Sequence, residues 1–275
     1  MTGVSIVAKG KTFTNTVGRR PLTLEQRVFD IFSDQRAYRG AIWAPWDIST
    51  LFQDAAGTVP VTADGDPVRL MLDVSGNGAH WVAPSDAARP VYKAGAQPYL
   101  QANGTSTEMV MAAAGLGITS FANQVSMQMG VLADSIGTFR TLLFIRTSSN
   151  TERIGLNTGG DAAAFRFFCR RNWSDANTIA TLPKPAGIHL WEAHANYIGG
   201  QATLTRDITA ATQTQALPAS QISEAAASLG SHLFGFSGTA FANMRFYGGA
   251  MLASELDIAE QRATISEYLA GKIGI

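Results

Sequence analysis

The sequence predicts an all-β sandwich or barrel, and three observations predict it. From Gln124 onward, short strand-like segments recur at regular spacing, with turn residues between them and no long helical pattern. The chain of 275 residues holds 27 glycines, and Ser, Thr, Asn and Gln stand where charges would usually be. Its charged fraction is 15%, against roughly 25% in an ordinary soluble domain. Finally, Leu70–Trp81 reads as an apolar strand, a tight reversal and an aromatic restart. The length suits one large domain, or one with a small appendage.

That reversal is the most specific local signal. Gly76, Asn77 and Gly78 tolerate positive φ, so the backbone can turn without a Cβ clash. Asp73 and Ser75 can hold the turn by bonding nearby amides. A second turn cluster at Ala63-Asp64-Gly65-Asp66-Pro67 brackets Val68–Leu72 as a short buried strand.

In chain order, Val4, Ile6 and Ala8 alternate with polar residues, predicting one strand or an extended arm that ends at Gly18-Arg19-Arg20-Pro21. Thr23 and Gln26 have capping-box spacing, and Leu24, Val28, Ile31 and Phe32 share a helical face through about Arg36. Residues 1–40 are too few to hold a core, so they either pack on the domain at 41–275 or dock on a partner. Trp43 and Trp46 suit core packing better than a ligand platform. Strands are then expected at Val125–Ala133, Arg140–Arg146, Arg153–Asn157, Ala163–Arg170, Gly187–Tyr197, Gln201–Arg206, His232–Phe236 and Ala242–Gly248. Ile198-Gly199-Gly200-Gln201 reads as a hairpin with a two-residue loop, and Ile208–Gln215 as a weak, exposed segment. The chain closes on an amphipathic helix, residues 254–270, capped by Ser254 and ended by Gly271, with Leu252, Leu256, Ala259, Ala263 and Leu269 as its stripe.

Composition narrows the function classes. Acidic and basic residues balance at 21 each, which argues against a nucleic-acid binder. Cys169 is the single cysteine, so an intrachain disulfide and a cysteine-built zinc site are excluded. Alternation groups it with Phe165 and Phe167 as a buried, inert thiol. No apolar run approaches the ~20 residues of a membrane span. Met1-Thr2-Gly3-Val4 begins no signal segment, so synthesis in a cytoplasm without export is expected.

Ser49–Asp54, Thr58–Val68 and Leu72–His80, followed by Ala88-Arg89-Pro90, resemble the opening segment of LamG-like, concanavalin A-like jelly-roll domains. Tyr99–Gly104 and the closing strand Met244–Gly248 with its following helix are similar to theirs too, so the resemblance covers roughly residues 43–275. Such domains occur in virion proteins of tailed phages and gene transfer agents. The resemblance therefore implies a jelly-roll sandwich on a virion, as a tail-fibre, spike or capsid-decoration component. It would bind host-surface carbohydrate, or cement neighbouring subunits with no ligand at all. Residues 1–36 would attach it to other virion proteins, and oligomers, trimers among them, are common in these families. The resemblance also implies a calcium ion at a loop edge, with Asp73 and Asn77 as candidate ligands, although a turn needs the same two residues for structural reasons.

No pattern reads as an enzyme. Glu255-Leu256-Asp257-Ile258-Ala259-Glu260 matches the Glu-x-Asp-x-x-Glu of concanavalin A-like glucanases. On a helix, however, Glu255 and Asp257 diverge by about 200° and cannot converge on a sugar. His189 and His194 are five apart, which in a strand sends the rings to opposite faces. Gly235-Phe236-Ser237-Gly238-Thr239 lacks the closing glycine of a nucleophile elbow, and Gly115-Leu116-Gly117 the third glycine of a dinucleotide loop. The best ligand-binding candidate is Arg170–Asn177, where Arg171, Asn172, Trp173 and Asp175 join an aromatic to short polar groups, as sugar sites and paratopes do.

Overall fold

The computed structural model describes residues 4–8, 11–15, 21–34, 37–111, 122–135, 137–146, 152–160, 163–170, 176–217, 230–236 and 238–275. In chain order the described strands are β1 (Val4–Ala8), β2 (Lys11–Asn15), β3 (Arg39–Trp43), β4 (Leu51–Phe52), β5 (Leu70–Met71), β6 (Trp81–Val82), β7 (Val91–Lys93), β8 (Tyr99–Gln101) and β9 (Met109–Met111). They continue with β10 (Gln124–Ser135), β11 (Thr141–Arg146), β12 (Glu152–Thr158), β13 (Ala164–Cys169), β14 (Thr178–Pro183) and β15 (His189–Asn196). The last are β16 (Gln201–Arg206), β17 (Ala211–Ala216), β18 (Gly230–Leu233) and β19 (Asn243–Ser254). Two described helices, α1 (Leu24–Ser33) and α2 (Ala259–Ile273), complete the elements.

The strands form two large antiparallel sheets. One has eight strands in the order β17-β16-β15-β10-β19-β8-β7, with β3 also on β19; the other has nine, β14-β13-β12-β11-β18-β9-β6-β5-β4. Alternation along each strand sends one set of side chains into the space between them. On the nine-stranded sheet the register aligns Ala180, Phe167, Leu156, Leu143, Leu233 and Met109 as one inward row, every member buried. Rings from the two sheets meet there, Phe165 against Trp191 with centroids 4.5 Å apart.

A second core lies on the other side of the eight-stranded sheet. Val28 and Phe32 of α1, and Ile265, Leu269 and Ile273 of α2, close over Ile42, Leu190 and Leu252. β19 serves both cores, with Met251 and Ala253 towards the sandwich and Ala250 and Leu252 towards the helices. The molecule is therefore three layers: helices, eight strands, nine strands.

Several expectations are met. The capping box forms, Gln26 N–H donating to Thr23 Oγ1 at 3.1 Å and Thr23 N–H to Gln26 Oε1 at 2.9 Å. The helix it starts packs against the eight-stranded sheet, and β3, which includes residues 40 and 41, pairs with β19. The predicted arm is a hairpin, β1 on β2, and among the described residues these two strands pair only with each other. Trp43 is in the core, its ring 5.2 Å from that of Trp81, while Trp46 packs edge-on against Tyr268.

Others are corrected. The final helix begins at Ala259, because β19 continues to Ser254; its end is Ile273, capped by Gly274 at φ 76, and Gly271 lies inside it. Ser254 Oγ instead donates to Ala37 O at 2.6 Å and accepts Leu256 N–H at 2.9 Å. Leu256 is 53% exposed, so the expected stripe was set out of phase by its start. The hairpin after β15 has a four-residue loop, Tyr197–Gly200, because Asn196 pairs with Gln201. The segment at 208–215 is exposed or half-buried throughout, as expected, but from Ala211 it forms β17, an edge strand.

Cys169 is buried in the sandwich core beside Phe165 and Phe167, and burial raises its thiol pKa to about 12. We expect a thiolate-directed reagent to leave it unmodified at pH 8 in folded protein and to label it on unfolding. Rapid labelling without denaturant would place the thiol at the surface.

Candidate functional site

Asp73 is the hub of the opening turn. Its Oδ1 accepts the N–H groups of Ile42 at 3.0 Å and Ser75 at 2.8 Å. Oδ2 accepts Ser75 Oγ–H at 2.8 Å, Asn77 N–H at 3.1 Å and Ala79 N–H at 3.3 Å. Gly76 at φ 88 and Gly78 at φ 78 supply the left-handed steps that aim these amides inward. Asn77 turns its amide nitrogen to Gly40 O at 2.9 Å, tying the turn to β3. The residues do not fit calcium. A cation needs oxygen lone pairs pointed at it, whereas both carboxylate oxygens are met by hydrogen-bond donors and Asn77 presents its NH2 group to carbonyls.

The predicted binding residues Arg171, Asn172, Trp173 and Asp175 lie outside the described residues; their flanks do not. Cys169 pairs with Thr178, and the same end of the nine-stranded sheet carries Arg146 against Glu152, Arg146 against Gly230, and Ser231 against Met111. The described residues on either side of 147–151 and of 171–175, with Met111 before 112–121 and Gly230 after 218–229, therefore share one end. The eight-stranded sheet contributes to that end. Tyr197 Oη–H donates to Arg170 O at 3.3 Å, Thr178 Oγ1–H to Ala216 O at 3.3 Å and Leu217 N–H to Gly200 O at 2.8 Å. Tyr197 N–H reaches Asn123 O at 2.8 Å, and Asn123 N–H reaches Ser254 O at 2.9 Å. Ile198 and Leu256 stand exposed on this rim. It is a hydrogen-bonded frame on which the flanks of four connecting segments meet.

The tempting carboxylates do not make a cleft. Glu255 and Asp257 lie in the link from β19 to α2 and Glu260 in the first helical turn, all exposed. Asp257 accepts Ala259 N–H at 3.1 Å, a capping role. The two histidines lie on opposite sides of β15, as expected. His189 is 2.6 Å from Asp207, while His194 lies under α2.

No local pattern in the sequence marks the polar network around His194. Arg262 of α2 reaches through the second core to the Glu192 carboxylate and to His194 Nδ1, at 2.6 Å in the latter case. His194 Nε2 meets Gln124 Oε1 at 3.0 Å, and Ser126 and Gln128 extend the network to Ser266. Burial, then the Arg262 charge, lower the His194 pKa to about 3. Neutral His194 thus accepts from Arg262 and donates to Gln124, an arrangement that fastens a helix. A second buried pair, Glu108 with His232 at 2.7 Å, sits on the nine-stranded sheet. Among the described residues no three His, Cys, Asp or Glu side chains are grouped to hold a metal ion, and no helix is long and apolar enough to cross a membrane.

No protein-family model and no curated protein sequence matches the chain. Solved structures do resemble it. The binding domain of botulinum neurotoxin DC in complex with rat synaptotagmin II superposes with a TM-score of 0.54 at 10% identity, over 81% of this chain and 51% of that one. The same domain in complex with SialylT gives 0.54 at 10% identity, over 81% and 51%. A structure of botulinum neurotoxin type C, which depends on interaction with two ganglioside molecules to get into cells, gives 0.54 at 10% identity, over 87% and 52%. The chain spans about half the length of these structures. At such identity the likeness is one of fold: a jelly-roll sandwich with a C-terminal helix.

Proposed function

We propose that the chain is a carbohydrate-binding adhesion module without catalytic activity, taking its ligand at the loop-bearing end of the sandwich. The observation that carries this is the convergence of the flanks of four connecting segments on one rim. Those segments include Trp173 and a run of Ser, Thr and Asn, a composition that stacks on and bonds to sugars. The structures it resembles are binding domains, two of them associated by name with ganglioside or SialylT. Its setting, on this reading, is a virion of a tailed phage or a gene transfer agent, as a tail-fibre, spike or decoration component and as an oligomer. Since α1 belongs to the core, attachment falls to residues 1–20.

The test is a glycan array with purified protein. Binding to host-surface glycan is expected, and Trp173→Ala should weaken it about tenfold or more, as loss of an aromatic anchor does, without shifting the unfolding temperature. An array that stays blank would sink the glycan reading. Deleting residues 1–20 should release the protein from particles while glycan binding persists. Retention of the deleted form, or absence of the intact form from particles, would remove the virion reading. Particle attachment combined with a blank array would instead describe a cementing protein.

A further inference from the structure

The two large sheets end on the edge strands β17, β7, β14 and β4. Three of those edges are closed by other parts of the chain. Along β7, Tyr92 N–H donates to Asp66 O and Gly65 N–H to Tyr92 O, both at 2.9 Å. Along β4, Gln53 N–H donates to Val59 O at 2.8 Å and Val61 N–H to Leu51 O at 3.0 Å. On β14, Pro183 has no N–H to offer, and Thr181 N–H is taken by Gln213 Oε1. The outer side of β3 likewise meets the opening turn, where Val74 N–H donates to Ile42 O at 2.9 Å.

The edge of β17 is bare. Leu217 N–H donates to Gly200 O, so alternation turns the main-chain groups of Ala211, Gln213 and Gln215 towards β16 and those of Thr212, Thr214 and Ala216 away from it. Among the described residues nothing accepts from these three outward N–H groups, and the carbonyls receive one side-chain bond, Thr178 Oγ1 to Ala216 O at 3.3 Å. β14 packs across both β16 and β17, in the other layer, and does not pair with β17. The usual protections of an edge are missing too. Residues 208–217 contain no charge and no proline, and the register of β17 on β16 runs without a bulge. Thr212 and Thr214 are exposed, and their hydroxyls lie 3.4 Å from Thr205 Oγ1 and 3.2 Å from Thr203 Oγ1.

We propose that β17 pairs antiparallel with β17 of a second copy, about a two-fold axis at Thr214. In that register Thr212 faces the partner's Ala216, Gln213 the partner's Gln215, and Thr214 its own counterpart. Every outward N–H then meets an outward carbonyl. The stretch is neutral and of similar bulk on both sides of Thr214, so self-pairing sets no charge against charge, as an isologous contact needs. Thr203 and Thr214 of both copies line up as one row across the joined sheet, a pairing that stabilises sheets. β17 runs towards the loop-bearing end, where Ala216 and Leu217 lie. The two-fold therefore sends the loop-bearing ends of the two copies in opposite directions, which suits the dimer to bridging two surfaces. The interface does not depend on what those ends bind.

Sedimentation of the full chain should show a monomer–dimer equilibrium, weak because an edge contact is small. Thr214→Lys stands two like charges face to face across the axis and should weaken association about tenfold or more. Its unfolding temperature should hold, since the side chain is exposed. Thr214→Asp should weaken association likewise, and mixing the two variants should restore a dimer made of one of each. Amide exchange reads the same contact without a mutation: Thr212, Thr214 and Ala216 should slow as concentration rises, whereas Gln213 and Gln215 are slow throughout. A chain that stays monomeric up to about 1 mM, a dimer indifferent to both variants, or a dimer lost only when residues 1–20 are deleted would each overturn the proposal. Those outcomes leave the glycan-binding reading untouched, and a blank glycan array beside a dimer that answers to Thr214 would refute that reading alone.

Discussion

Asp73→Ala is expected to destabilise the protein by about 3–5 kcal/mol. The carboxylate accepts five hydrogen bonds, and its loss leaves the N–H groups of Ile42 and Ala79, both fully buried residues, without an acceptor. Each stranded donor costs about 1–3 kcal/mol. Because Ile42 belongs to β3 and Ala79 follows the turn, the damage reaches both the eight-stranded sheet and the restart of β6. Asp73→Asn keeps the shape but places an NH2 group against N–H donors on one side, and should lose about half as much. Denaturant unfolding measures both. A loss below about 1 kcal/mol for the alanine variant would show that the turn holds without its carboxylate.

Arg262→Ala should cost a similar amount, about 3–5 kcal/mol, because it strands the Glu192 carboxylate, whose side chain is 9% exposed, without its partner. Replacing both partners, as Glu192→Gln with Arg262→Met, should recover most of that loss; a double variant as unstable as the single one would contradict the account. The same network predicts a pH dependence. His194 takes a proton near pH 6.5 in the unfolded chain, but in the folded protein burial and Arg262 hold its pKa at about 3. Its contribution to stability is therefore complete above about pH 6.5 and is lost as pH falls towards 3, at up to about 1.4 kcal/mol per pH unit. His194→Gln should flatten that part of the profile. A wild-type stability that stays level between pH 6.5 and 4 would show that His194 is not buried neutral.

The sequence was legible where local chemistry decides. The Gly76-Asn77-Gly78 reversal, the Thr23 cap and most strands from β10 on follow from residues adjacent in the chain. What stayed hidden depends on tertiary burial. β19 is covered on both faces, so Gly249–Ser254 has no polar alternation, and its Leu252 reads as the first rung of a helix. β17 has the opposite difficulty: Ala211–Ala216 is an edge strand with no large apolar residue, held by its pairing to β16. Arg262, Glu192 and His194 are ordinary letters until a helix folds across the sheet. Of the proposed site, the sequence singles out the loop residues, and the fold supplies the rim at which their flanks meet.

The position of β19 also has a bearing on biosynthesis. It hydrogen-bonds to β10, β8 and β3, with partners as distant as Trp43 and Gly249. Until β19 has been made, three earlier strands face an empty lane in the middle of their sheet. Such distant partners make assembly slow, and the waiting intermediate, with unsatisfied edges and bare apolar side chains, is the form that a chaperone would meet.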